Sequence, residues 1–292
     1  MAALDNKVAI VTGAGQGLGR THALTLAREG ATVIVNDVSD ANARAVVEEI
    51  GAGGGRAAVN TSSVSDWKAA KALVDQAVES YGDLHIVVNN AGILRDKMSF
   101  SMDEAEWDAV IDVHLKGHFA LSRHAGAWWR EQSKSGTRTP RRIVNTTSEA
   151  GLFGSAGQAN YASAKGGIVT MTWVFARELG RYGVTANVIA PRARTQMTEA
   201  IPFFAAPGEG GFDKYDPAHV STFVAWLATD GTADINGQVF IVIGGDVHLI
   251  RPFTVANSIA APTGWTIDAL DAARADLLAG VETKPPDTPI GG

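Results

Sequence analysis

Cysteine is missing altogether from the 292 residues, which removes disulfides, thiolate metal ligands and a cysteine nucleophile from consideration. Long apolar runs are missing too: none approaches the ~18 residues of a membrane-spanning helix. The segment from Met1 to Lys7 has no basic stretch followed by an apolar one, so no signal peptide is expected. Positive charge is scarce. With 25 Lys and Arg against 31 Asp and Glu, the net charge of -6 repels nucleic-acid phosphates and anionic lipid headgroups. What remains is a globular, cytoplasmic protein with a small-molecule partner and no metal site, nucleic acid or membrane partner. Glycine, by contrast, is abundant, with 32 residues.

Apolar, β-branched runs recur at 7–11, 32–36, 84–88, 142–145, 184–189 and 239–243, with a weaker one at 56–59. They are continuous rather than alternating, as in parallel strands covered on both faces. Stretches with helical spacing separate them at 18–29, 40–50, 66–81, 104–131, 158–182 and 217–229. Strict alternation of strand and helix predicts an α/β fold: a doubly wound parallel sheet of about seven strands with helices on both faces. Residues 1–250 are read as a single dinucleotide-binding and catalytic domain. Residues 251–292 form a C-terminal extension with helical spacing at 267–278 and an end expected to be disordered. The basic stretch 133–142 is read as a solvated loop.

The first strand runs into a turn carrying Gly13, Gly15, Gly17 and Gly19, with Gln16 and Leu18 between them, and then into a helix. Glycines let backbone approach a pyrophosphate, and the helix start favours its charge. The spacing GxGxxG is not met; the pattern is TGxxxGxG, and a tight strand-to-helix connection is the plainer alternative. Asp37 follows the second strand, 18 residues beyond Gly19, where a carboxylate accepts from ribose hydroxyls and repels a 2′-phosphate. No Lys or Arg lies between positions 31 and 43 to offset that repulsion, so NAD is favoured over NADP. A simple turn cap with Ser39 and Asp40 is the alternative role for Asp37.

Tyr161 and Lys165 are four residues apart on a predicted helix, hence on one face. A cation beside a phenol stabilises phenolate, lowering a pKa that is ordinarily ~10. Tyr161 is thereby suited to exchange a proton with an alcohol or carbonyl. Ser148, thirteen residues earlier and just past a strand, is placed to hold the reacting oxygen.

In this order, the glycine turn at 12–19, Asn89-Asn90-Ala91-Gly92, Ser148, and Tyr161 with Lys165 make the chain resemble the short-chain dehydrogenase/reductase family over roughly residues 5 to 250. The resemblance implies a Rossmann-type NAD(P)-dependent oxidoreductase in which Tyr161 is the acid/base, Lys165 lowers its pKa and holds the nicotinamide ribose, and Ser148 orients the substrate oxygen. It places Gly13, Gln16, Gly17, Leu18, Gly19, Asp37, Val38, the Val64 backbone, Asn90, Ala91, Gly92, Pro191 and Thr195 at the cofactor. Several positions depart from the commonest pattern. His114 stands where many members have an Asn that holds a relay water, and either that role or helix packing follows. Ser63 replaces an adenine-binding Asp, and Arg192 follows Pro191 where glycine is frequent.

Within the family the chain looks most like the 3-hydroxyacyl-CoA dehydrogenase domain of peroxisomal multifunctional enzyme type 2 and its stand-alone bacterial relatives. That likeness implies a 3-hydroxyacyl-CoA or steroid-like secondary alcohol as substrate. A reductase of acyl-carrier-protein thioesters and a non-catalytic dinucleotide-binding protein are the alternatives. Residues 195–215, with Phe203, Phe204 and Phe212, fall where the family has its substrate lid. Arg192 and Arg194 either pair with a CoA phosphate or are solvated. Relatives are usually tetramers, implying a homo-oligomer in which Trp128 and Trp129 lie at an interface or in the core.

Overall fold

The structure, a computed structural model, describes residues 2–137, 139–196, 211–251 and 253–284. Eight strands among them form one sheet: β1 (Val8–Thr12), β2 (Thr32–Asn36), β3 (Arg56–Asn60), β4 (Ile86–Asn89), β5 (Arg141–Thr146), β6 (Val184–Arg192), β7 (Val239–Ile243) and β8 (Asp246–Ile250). Their order is β3-β2-β1-β4-β5-β6-β7-β8. The helices between them are α1 (Gly17–Arg28), α2 (Asp40–Ala52), α3 (Trp67–Tyr81), α4 (Glu104–Ile111), α5 (Gly117–Lys134), α6 (Glu149–Phe153), α7 (Ala159–Leu179), α8 (Pro217–Leu227) and α9 (Ile267–Leu277).

The apolar strand runs are continuous because each strand feeds two cores. Along β1, Ala9 and Val11 face one layer with Leu26 of α1, Val46 of α2 and Val224 of α8. Val8 and Ile10 face the other, with Leu73 of α3, Leu121 and Trp129 of α5, and Phe175 of α7. Period-two alternation thus sorts one strand's side chains between two helical layers. The chain leaves β1 toward β2 and β3, then crosses back to β4 on the other side of β1. A crevice therefore opens beyond the carboxyl ends of β1 and β4.

Several expectations are corrected. The sheet has an eighth strand, and it is antiparallel: β8 pairs with β7 across Gly244 and Gly245, with Gly244 at φ 55°. A left-handed turn residue lets the chain reverse there, which a helix-crossover pattern does not anticipate. The helix expected over 104–131 is interrupted by a π-helical turn at Asp112–Lys116, which holds His114. The basic stretch is not a solvated loop throughout: Arg141 and Arg142 lie inside β5 at 2% exposure each. Arg141 pairs with Asp83 at 2.8 Å through Nη1, its Nη2 remaining without a partner among the described residues, and Arg142 donates to the Thr229 carbonyl at 2.9 Å. Trp129 is core, its Nε1 donating to the Leu84 carbonyl at 2.7 Å, and it is closed to an interface role.

The chain divides into two compact units, Met1–Ile250 and Arg251–Gly292. In the second, Thr266 caps α9 by accepting from the Ala269 N–H at 3.1 Å, and Asn257 Nδ2 donates to the Leu277 and Ala279 carbonyls. The expected disorder at 285–292 lies outside the described residues, as do Met197, Phe203, Phe204 and most of the expected lid. Among the described residues no helix is long and apolar enough to cross a membrane.

Candidate active site

The turn after β1 is built by close backbone approach. Gly13 and Gly17 have φ of 60° and 53°, a region that favours glycine. A Cβ on Gly13 would lie 2.8 Å from Ala91 Cα, and one on Gly19 would lie 2.0 Å from the Gly13 carbonyl oxygen. The loop after β4 holds the turn from the other side. Asn90 Nδ2 donates to the Thr12 and Gly13 carbonyls at 3.0 and 3.2 Å, while the N–H groups of Asn90 and Ala91 donate to Thr12 Oγ1. Gln16 precedes α1 without a side-chain cap, leaving the first amides of the helix to an anion. Leu18 packs into the core below.

Asp37 caps the turn and also receives the glycine loop. Its Oδ1 accepts from the Ser39 N–H and its Oδ2 from the Gly15 N–H, each at 2.9 Å. A carboxylate has about four lone-pair sites, so two remain for a ribose diol. Val38 beside it is 73% exposed, whereas Val64 is buried against Gly117. Ser63 turns its hydroxyl to Ser65 at 2.8 Å. On the far side, Thr195 lies against the glycine turn, its Cβ 3.6 Å from where a Gly17 Cβ would be. A cradle of backbone at β1 and β4, an acid at the end of β2 and Thr195 opposite suit a dinucleotide.

Ser148, Tyr161 and Lys165 converge at the same sheet edge. Asn160 pins the start of α7 by donating to the Arg95 and Glu106 carbonyls at 3.0 and 3.1 Å and accepting from the Tyr161 N–H at 2.7 Å. Lys165 is buried, donates to the Thr146 carbonyl at 2.7 Å and stands 5.6 Å from the centroid of the Tyr161 ring. Ser148 bonds the Tyr161 phenol and draws its pKa down, but burial acts more strongly and raises it above 10.0. Burial also pushes the Lys165 ammonium down to about 7.

That shift makes a stability prediction. The folded value lies near 7 and the ordinary one at 10.5, so between them the unfolded chain binds a proton that the folded one lacks, and stability rises with pH. Without cofactor, Lys165→Met is expected to melt above the wild type at pH 7, the gap closing toward pH 10. A gap independent of pH in paired thermal melts would contradict the buried ammonium.

His114 sits over Gly92, where a Cβ would lie 2.4 Å from its Cε1, and its ring meets Tyr161 edge-on at 5.2 Å. Its Nε2 is 3.0 Å from the Ile93 nitrogen and 2.8 Å from the Ile93 oxygen, serving one of them according to tautomer. Its Nδ1 is buried without a protein partner, and burial holds the ring neutral, with a pKa of about 3. His118 was not anticipated, although its spacing of four from His114 was the available signal. It is wholly buried beside Lys165 and His114, its Nε2 also without a protein partner, and burial keeps its pKa well below 6.5. Buried polar atoms of this kind are ordinarily met by ordered water.

The two arginines at and just past the end of β6 each meet a carboxylate. Arg192 forms a two-bonded pair with Glu149 at 2.5 and 2.8 Å, and Arg194 pairs with Asp213. Pro191 lies in β6 opposite Val242.

The sequence matches the family model described as short chain dehydrogenase over residues 7–202. Hydroxyacyl-CoA dehydrogenase ChsB1 of Mycobacterium tuberculosis (strain ATCC 25618 / H37Rv) is 51% identical over 286 residues, covering 95% of this chain and 90% of its own. Peroxisomal multifunctional enzyme type 2 of Mus musculus is 37% identical over 256 residues, which are 85% of this chain and 33% of the mouse protein. A crystal structure of a short chain dehydrogenase from Mycobacterium avium superposes with a TM-score of 0.88 at 45% identity, covering 97% of this chain and 98% of that one. Agreement in sequence over two thirds of the chain, together with the superposed fold, means that this protein belongs to the short-chain dehydrogenase/reductase family and is an oxidoreductase that uses a nicotinamide dinucleotide.

Proposed function

We propose that the protein is an NAD-dependent dehydrogenase of 3-hydroxyacyl-CoA thioesters or similarly bulky secondary alcohols. The observation that carries this reading is the convergence of Ser148, Tyr161 and buried Lys165 at the edge of the crevice between β1 and β4. Bound there, the nicotinamide would accept or return the hydride of the alcohol carbon. Ser148 holds the substrate oxygen, and Tyr161 Oη takes its proton in oxidation or supplies one in reduction. Lys165 and the neutral His114, acting through ordered water at Nδ1, pass that proton inward. Gly13, Gln16, Gly17, Gly19 and the start of α1 cradle the pyrophosphate, Asp37 binds the adenosine ribose, and Val38 and Val64 flank the adenine. Asn90, Ala91 and Gly92 form the opposing wall, with Pro191 and Thr195 at the nicotinamide end.

The substrate class is supported by the likeness to proteins named for hydroxyacyl-CoA oxidation and to a multifunctional peroxisomal enzyme. We place the enzyme in the cytoplasm, a setting supported by its likeness to the Mycobacterium tuberculosis protein. Its self-association would use the β8 edge, where Val247 and Leu249 are about half exposed.

The test is catalytic efficiency on a 3-hydroxyacyl-CoA series of rising chain length, steroid-ring thioesters included, against polyols and short alcohols, each with NAD and NADP. Burial of ~0.8 kcal/mol per methylene predicts roughly a fourfold gain per carbon until the pocket is filled. Two like charges ~4 Å apart at an effective dielectric of ~20 repel by ~4 kcal/mol, so NAD is expected to lead NADP by at least ~10²-fold. A polyol as best substrate would refute the thioester reading. NADP performing as well as NAD would turn it toward the acyl-carrier-protein reductases.

A further inference from the structure

We propose that Glu149 and Arg192 are a positioning pair that holds Ser148 in register with Tyr161, an inference that rests on Ser148 and Tyr161 acting on the substrate oxygen. Ser148 is the N-cap of α6, a five-residue helix with no buried side chain of its own. Its hydroxyl accepts only a 3.3 Å bond from the Ala150 N–H, too long to fix the rotamer of a serine that must also meet Tyr161. Thr147, just before it, is fixed, its Oγ1 donating to the Lys165 carbonyl and its N–H to the Ile189 carbonyl, each at 2.7 Å, so what is left to hold is α6 itself.

Two contacts do so. On one side Gly151 lies against α7, where a Cβ would come within 2.6 Å of the Gly166 nitrogen and the Lys165 carbonyl carbon. That contact, with Leu152 of α6 packed against the core cluster that includes Ile168 and Val169 of α7, seats α6 on α7. On the other side Glu149, the residue after Ser148, receives Nε and Nη2 of Arg192 in a paired, directional contact. The two side chains are only 19% and 11% exposed, so the contact is shielded from the solvent and salt that weaken surface pairs. Arg192 ends β6 and pairs with Ile243 of β7, so its backbone has the rigidity of the sheet. Sheet, guanidinium, carboxylate and serine are thus joined in one chain of contacts.

The pair also gives the Arg192 side chain a purpose. A side chain there is directed to the catalytic loop instead of the cofactor crevice. The planar fork matters: lysine would supply a charge but only one direction of contact. Misplacement of a catalytic group by ~1 Å is enough to reduce turnover ~10²-fold.

The experiment compares Glu149→Gln, Arg192→Ala, Arg192→Lys and the exchanged pair Glu149→Arg with Arg192→Glu, with Ser148→Ala and Tyr161→Phe as controls. Each is assayed on whichever alcohol the wild type oxidises best, alongside thermal melting and NADH affinity. The expected result is a fall in kcat of ~10- to 10²-fold in the single variants, with KM and NADH affinity changed less than about threefold. Arg192→Lys should fall between wild type and Arg192→Ala, and the exchanged pair should recover at least part of the loss. If Ser148→Ala and Tyr161→Phe are inactive while the pair variants keep wild-type kcat, or if kcat falls only as far as melting and NADH binding fall with it, the positioning role is overturned. If Ser148→Ala or Tyr161→Phe stays active, the failure lies instead in the assignment of the reacting residues.

Discussion

Tyr161→Phe is expected to lower turnover by about 10²- to 10⁴-fold, the range that general acid/base catalysis supplies, while NADH affinity stays near that of the wild type. The ring that His114 meets edge-on is retained, so packing in the site survives the loss of the hydroxyl. Because burial raises the phenol above its ordinary value, Tyr161 is protonated at neutral pH and ready to serve ketone reduction. Alcohol oxidation needs the phenolate, so its rate should climb as pH is raised toward the alkaline range, and this climb should vanish in the Phe variant. Stopped-flow or steady-state assays in both directions across pH 6 to 10 check both statements. A Phe variant with wild-type turnover would remove Tyr161 from the chemistry.

Gly19→Ala is expected to abolish measurable NADH binding and to destabilise the chain by about 3 kcal/mol or more, the upper range for overpacking a tight site. The added methyl would sit 2.0 Å from the Gly13 carbonyl oxygen and 2.6 Å from Asn90 Nδ2. The first of these is backbone and cannot swing away, so α1 must shift off the turn that it caps. The same substitution at Gly51 in α2 meets nothing within 4 Å. There, removing a helical glycine should stabilise by roughly 0.5 to 1 kcal/mol. Calorimetric binding and thermal unfolding of the two variants together separate a steric cause at Gly19 from a general intolerance of alanine. Retained NADH affinity in Gly19→Ala would mean that the turn is looser than its contacts imply.

Gly19 and Tyr161 can both be placed from sequence. Gly19 sits in a local pattern of strand, glycines and helix, and local pattern is what sequence carries best. Tyr161 and Lys165 are equally local, since four residues on a helix fix a shared face. The direction of their pKa shifts is not local, because it depends on how much protein covers them. The spacing says that the two share a face; that burial raises Tyr161 and lowers Lys165 is a property of the fold.

Charged residues show the same division. Arg141 and Arg142 belong to a basic run that reads as solvated, and Asp83, which meets Arg141, is far from it in sequence. Arg192 reads as an oddity after Pro191 until the fold brings Glu149 to it from 43 residues away. The π-helical turn that presents His114 leaves the helical spacing on either side almost unaltered, so nothing in the periodicity marks it. β8 leaves no continuous apolar run in the sequence, because a short edge strand with half-exposed side chains need not be apolar on both faces.

By itself the sequence determined the winding of the sheet, the glycine turn, the acid at the end of β2 and the serine, tyrosine and lysine of the site. Each of these follows from hydrophobic periodicity or from spacings of a few residues, which the local backbone geometry translates directly. Only the tertiary structure decided which charges are paired, which histidines are buried, which way burial shifts the phenol and the lysine, and that Glu149 meets Arg192. Those properties arise from desolvation and from contacts between residues remote in the chain, and neither quantity exists until the helices have closed over the sheet.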